Sequence, residues 1–233
     1  MAVLSAGAAK GVVDALAPAF QQATGITIAG TFGAVGTIRE RFLAGEACDV
    51  LILTATMLEG LADEGRVLPE THAVLGEVPT GIAVRHGDPH PAVADAPALR
   101  ASLARAPAWY CPDTARATAG IHFLRVLRDL GLESDAADRI HAYPSGAVAM
   151  QALAESASAG AIGCTQVTEI LYTPGVDLVG VLPAALSLAT RYAVAVNARA
   201  REPDLARSLV RLLTSRDTLE LRARGGFIAT ACC

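Results

Sequence analysis

Cys48-Asp49-Val50-Leu51-Ile52-Leu53, closed by Thr54-Ala55-Thr56, is the stretch that decides the fold. A near-continuous apolar run of this length, without alternation, is what a parallel strand buried on both faces requires. Met57, Leu58 and Leu61 then recur at helical spacing. Toward the N-terminus, Ala2-Val3-Leu4-Ser5 reads as a strand and Ala6-Gly7-Ala8-Ala9-Lys10-Gly11 as a small-residue turn. Val12, Val13, Leu16 and Phe20 mark the apolar face of a helix that stops at Thr24-Gly25. Ile26-Thr27-Ile28 is the expected second strand, and Thr31-Phe32-Gly33-Ala34-Val35-Gly36-Thr37 a glycine-rich turn opening a helix over 38–44. Strands alternating with helices at this spacing specify an α/β fold, with mostly parallel sheets flanked by helices.

The pattern continues toward the C-terminus. Residues 74–84 are extended and apolar, and Arg85-His86-Gly87-Asp88-Pro89-His90-Pro91 is a loop. Ala108-Trp109-Tyr110-Cys111 is a strand, and the polar turn over 112–118 leads into a helix over 119–130. A short strand ends near Tyr143, a helix follows Pro144-Ser145-Gly146, Ala161-Ile162-Gly163-Cys164 is a strand, and 188–196 is extended. One amphipathic helix is predicted over 204–224, with Leu205, Leu209, Leu212, Leu213 and Leu219 on its apolar face and Gly225-Gly226 at its end. No internal repeat is visible.

Composition narrows the function classes. With 52% hydrophobic and 18% charged residues in 233, the chain buries enough apolar surface to offset its entropy, so disorder is excluded. Aromatics are 4%, so the core is built from Ala, Val, Leu and Ile. A net charge of −4, with arginines scattered along the chain, argues against a nucleic-acid partner. No apolar run reaches the ~18 residues that span a bilayer, so no direct membrane insertion is expected. The five cysteines (Cys48, Cys111, Cys164, Cys232 and Cys233) show no metal-ligand spacing and read as reduced, buried thiols. Neither a metal nor a cofactor is expected. No phosphate-binding, dinucleotide or nucleophile-elbow motif is present.

Three stretches together resemble the molybdate/tungstate-binding branch of the type II periplasmic solute-binding proteins. They are Val3 to Phe20 with Ala23-Thr24-Gly25, then Thr31 to Gly36 through Gly45, Asp49 and Val50, and finally Gly160-Ala161-Ile162-Gly163 to the end with Thr190-Arg191-Tyr192-Ala193-Val194 and Arg224-Gly225-Gly226-Phe227. The resemblance implies two α/β lobes, one of residues 1–80 with 192–233 and one of 81–191, and a ligand cleft between them. It also implies an ABC transporter permease as partner. Periplasmic residence is expected if a leader has been removed, and cytoplasmic residence if Met1 is the native start.

Glycine-bearing turns that open helices offer free N–H groups and a positive dipole end, which favour a small anion. By resemblance the ligand-contacting positions are Ala8 and Val35, where the family has serines, backbone donors at Ala119 and near Val148, and Gln166, where the family has a tyrosine. Alanine and valine donate no side-chain hydrogen bond, which shifts the expected ligand from an oxyanion toward a small carboxylate. Around these positions stand Ser5, Lys10, Thr37, Thr54 and Thr56, then Arg116, Thr118, Ser145 and Thr165. Lys10, the only lysine, and Arg116 are natural carboxylate partners, though each also reads as a solvated surface residue. Ser145 reads as a helix N-cap, a ligand contact, or both. His122, early in its helix, reads as packed, as a surface residue, or as near the ligand.

Two functions stay open here. One is a binding protein that holds a small anion for a transporter. The other is an isomerase of an unsaturated tricarboxylate, resembling the aconitate isomerases, with Lys10 or His122 as candidate bases. A cytoplasmic ligand sensor ranks behind both, because nothing resembles an attached DNA-binding helix-turn-helix.

Overall fold

Residues 3–6 are buried, so the first strand, β1 (Ala2–Ala6), lies in the core from its second residue on. The computed structural model describes residues 1–229. β1 passes through a 3-10 turn at Gly7–Ala9 into α1 (Lys10–Thr24), which buries Val12, Val13, Leu16 and Phe20. The helix ends on Gly25 at φ 73°, left-handed backbone that only glycine adopts without cost.

The second strand, β2 (Ala29–Gly33), is not at 26–28 as expected. It pairs with β1 from Ala2↔Ala29 to Ala6↔Gly33, so the glycine-rich stretch completes the strand instead of forming a turn. For the same reason α2 (Val35–Leu43) starts three residues earlier than its apolar spacing suggested. β3 (Val50–Thr54) and α3 (Ala55–Asp63) follow.

Next come β4 (Ala73–Arg85), α4 (Ala96–Arg105), β5 (Trp109–Pro112), α5 (Thr118–Asp129), α6 (Ala136–Arg139) and β6 (Ile140–Tyr143). α7 (Gly146–Ala154), β7 (Ile162–Gln166), α8 (Val167–Leu171), β8 (Val176–Val181), β9 (Ala189–Val196), α9 (Pro203–Thr214) and α10 (Leu219–Arg224) complete the described chain. β8 has no counterpart in the sequence-based reading. The single helix expected over 204–224 is in fact two. Ser215 turns extended, at φ −61° and ψ 158°, and the buried Arg222 donates back to the carbonyls of Thr214 at 3.4 Å and Ser215 at 3.0 Å and to that of Leu75 at 2.5 Å. A guanidinium at the end of α9 satisfies carbonyls the helix cannot.

The chain divides into two compact units, one of Met1–Val78 with the chain from Arg191 on, the other of Pro79–Thr190. β4 and β9 each run from one unit into the other. The sheet of the first unit is ordered β2-β1-β3-β9, with the first three strands parallel and β9 antiparallel to β3. In the second unit the order is β6-β5-β7-β4-β8, with β6, β5 and β7 parallel and β4 antiparallel to β7. The two units therefore share one topology without sharing a sequence repeat. Each has a parallel triplet whose first strand sits in the middle, edged by an antiparallel strand.

Helices cover the sheets. In the second unit Trp109 meets Phe123 edge-on at 6.3 Å, among Ile82, Leu99, Leu103, Leu127, Ile162 and Cys164, while Ala149, Met150, Leu153 and Ile170 pack on the opposite face. In the first unit Leu4, Leu51, Ile52, Leu53, Ile38 and Leu58 are fully buried. Cys48, Cys111 and Cys164 are buried free thiols, and burial pushes Cys48 and Cys111 up to about 12. Cys232 and Cys233 lie outside the described residues.

Candidate functional site

In open α/β sheets ligands bind outside the carboxyl ends of the strands, where successive connections leave in opposite directions. The order β2-β1-β3 puts that point at the end of β1, and β6-β5-β7 puts it at the end of β5. All eleven expected ligand positions fall on these edges. Ser5, Ala8, Lys10, Val35 and Thr37 end β1 or start α1 and α2, while Arg116, Thr118, Ala119, Ser145, Val148 and Gln166 lie at the starts of α5 and α7 and the end of β7.

On the first unit the edge is built from backbone. Gly7, Ala8 and Ala9 are buried, and no side chain caps the start of α1 or of α2. The first amides of α2, beginning at Val35, have no intrahelical acceptor. The Ser5 hydroxyl is fully buried and donates to the Ala6 carbonyl at 2.9 Å, so it is committed within its own strand. Lys10 is held by Asp14 and lies over the Phe32 ring, 5.3 Å from its centroid. Thr54 caps α3 by accepting from the Met57 amide at 3.4 Å.

On the second unit the helix starts differ. α5 begins without a side-chain cap, behind a turn in which Asp113 Oδ1 accepts from the amides of Ala115 at 2.7 Å and Arg116 at 3.0 Å. The Arg116 side chain is 54% exposed, with its guanidinium 3.8 Å from Asp113. His122 Nε2 lies 2.8 Å from the Leu186 carbonyl, so that nitrogen carries the proton and Nδ1 is the basic one.

The start of α7 is closed by the protein itself. Ser145 accepts from the Val148 amide at 3.3 Å, so the expected donor near Val148 already has an acceptor. Glu169 of α8, 5% exposed, takes the Thr165 hydroxyl at 2.6 Å and the amides of Gly146 and Ala147. A Cβ at Gly146 would collide with Glu169 Oε2 and Thr165 Oγ1, so glycine is what lets the carboxylate approach. Burial pushes the Glu169 carboxyl up, and the hydroxyl and the two amides pull it back down.

A row of polar atoms remains. Gln166, 3% exposed, donates through Nε2 to Thr190 Oγ1 at 3.2 Å. Gln166 Oε1, Thr80 Oγ1 and Thr168 Oγ1 are all buried and, among the described residues, have no hydrogen-bond partner. A buried polar group without a partner costs about 1–3 kcal/mol, so three near one strand end call for an explanation.

The sequence reading missed Glu169, Thr80 and Thr168. A carboxylate inside Val167-Thr168-Glu169-Ile170-Leu171 was the available signal for Glu169. Thr80 gave none, since threonine suits any strand. A cavity of about 830 Å³ lies elsewhere. Ala2, Cys48, Asp49 and Asn197 are among its lining residues, at the amino edge of the first unit's sheet, near the C-terminus of α2. Helix carbonyl ends disfavour an anion there.

Two α/β units of like topology, with α2 and α5 starting uncapped at their carboxyl edges, fit a solute-binding protein of the two-lobed periplasmic type. The chain belongs to the bacterial extracellular solute-binding protein family, which it matches over residues 1–228. Among solved structures it is similar to the periplasmic molybdate-binding protein of Azotobacter vinelandii (TM-score 0.81, 17% identity, 99% of each chain). It is also similar to the sulfate-binding protein SubI of Mycobacterium tuberculosis (TM-score 0.76, 15% identity, 99% of this chain and 87% of that one). A curated relative, the aconitate isomerase of a Pseudomonas species, is 29% identical over 226 residues, covering 93% of this chain and 83% of its own. Among the described residues no helix is long and apolar enough to cross a membrane.

Proposed function

We propose that this protein binds a small polycarboxylate through helix-start amides such as those of Ala8, Val35 and Ala119. One observation carries the choice of ligand. Two of the positions where the resemblance calls for hydroxyl donors hold Ala8 and Val35, both buried and neither able to donate. An oxyanion that needs a full shell of donors loses about 1–3 kcal/mol for each one missing. A polycarboxylate spreads its charge over separate groups and can meet separate helix starts. In this reading the protein serves in the periplasm and delivers its ligand to an ABC transporter permease. Support comes from the family and from neighbours named for molybdate and sulfate binding.

The aconitate isomerase relative favours a second reading, proton transfer on an unsaturated tricarboxylate in the same place. There the amides would spread the developing negative charge. Nδ1 of His122 would be a better base than Lys10, whose ammonium is held by Asp14.

Thermal unfolding against molybdate, tungstate, sulfate, phosphate and cis- and trans-aconitate tests the binding. Ligand at ~100 times its Kd adds about 2.7 kcal/mol of stability. A shift with carboxylates alone supports the proposal, and a shift with molybdate or tungstate alone overturns it. Proton NMR of cis-aconitate incubated with catalytic amounts of protein separates the two readings, since only an isomerase produces the trans isomer.

A further inference from the structure

The geometry points to Thr80 as a specificity-determining residue that, beside Gln166, receives one carboxylate of the ligand; this rests on the polycarboxylate reading above. Thr80 of β4 and Gln166 of β7 are direct partners across an antiparallel pair. The backbone of Thr80 turns the other way, with its N–H donating to the Leu188 carbonyl at 3.0 Å and its carbonyl accepting from the Leu182 amide at 3.0 Å. The pair is therefore of the non-hydrogen-bonded kind, in which facing side chains approach most closely. Both are buried to 97% or more, at 1% and 3% exposed, and each ends in a polar atom with no partner among the described residues.

Their placement fits a ligand. Ile162, Cys164 and Gln166 alternate onto one face of β7, and Ile162 and Cys164 pack in the same cluster as Phe123 of α5. Gln166 thus ends its strand on the face that α5 covers and at the edge where α5 starts uncapped. The Thr190 hydroxyl can serve either end of the Gln166 amide, donating to its oxygen or accepting from its nitrogen. With Thr190 donating, the amide NH2 is the end without a partner, on the residue directly across from Thr80. Two uncharged donors side by side match the two oxygens of a carboxylate, and they recognise it by hydrogen bonds instead of formal charge. Thr168, at the same strand-to-helix junction, carries the third partnerless hydroxyl.

The test is titration calorimetry of the full chain with trans-aconitate, comparing the wild type, Thr80→Val and Thr80→Ser, together with thermal unfolding of each without ligand. Thr80→Val is expected to raise Kd at least about tenfold while leaving the ligand-free Tm unchanged or higher, because an apolar isostere relieves a partnerless hydroxyl. Thr80→Ser keeps a hydroxyl and is expected to stay near the wild-type Kd. Wild-type binding by Thr80→Val, or a lower ligand-free Tm for it, overturns the assignment and leaves the polycarboxylate reading standing. No titration with the wild type overturns that reading, and the role of Thr80 falls with it.

Discussion

Ala8 and Val35 carry the argument about ligand choice, and both can be tested by restoring what they lack. An Ala8→Ser, Val35→Ser double variant is expected to bind molybdate about tenfold more tightly than the wild type, or about 1.4 kcal/mol, in competition titration. No gain would mean that the two positions do not set selectivity. Glu169 makes a second prediction. Its folded pKa lies above the ordinary carboxylate value because it is buried. The folded state therefore holds that proton more tightly than the unfolded chain, and the stability gained by protonation is lost as pH rises through the raised pKa. Wild-type Tm should fall as pH is raised above the ordinary carboxylate range, and Glu169→Gln should lack that component. Identical pH profiles would show that Glu169 does not titrate differently on folding. At this scale the sequence was legible where a residue type is itself the signal, as with the missing hydroxyls. It was silent on Thr80, whose meaning comes from the distant Gln166 across the sheet, and for Glu169 it offered only a carboxylate in an apolar run, not the Gly146 and Ala147 amides that it takes.

Elements were more legible than residues, and the errors share a cause. Apolar runs located β1, β3, β4, β5, β7 and β9, and apolar spacing the buried face of α1, because each is set by its own side chains. β2 and the break between α9 and α10 are set by something else. β2 is placed by its register with β1, and the helix break is held by Arg222 reaching the Thr214, Ser215 and Leu75 carbonyls. Leu205, Leu209, Leu212, Leu213 and Leu219 keep helical spacing across the break, so periodicity alone cannot reveal it. Arg222→Met keeps the length of the side chain and removes its donors. It is expected to cost about 2 kcal/mol through the orphaned carbonyls, lowering Tm by about 4–8 °C in a chain of this size. An unchanged Tm would mean that the break is held by backbone alone.

At the scale of the molecule the two units repeat one topology, and no repeat in the residues announces it. Topology is set by strand order, which many unrelated sequences satisfy. The whole-chain resemblance reached the fold class by a different route, through loop motifs at strand ends. Those loops are also where the account places its ligand. Amide hydrogen exchange with and without trans-aconitate tests that placement most directly, since an amide that donates to a ligand exchanges more slowly. Slowed exchange is expected at Ala8 and at residues 35–37 and 118–120, while amides 146–148, held by Glu169 and Ser145, stay unchanged. Protection centred on α7, or absent throughout, would contradict that placement.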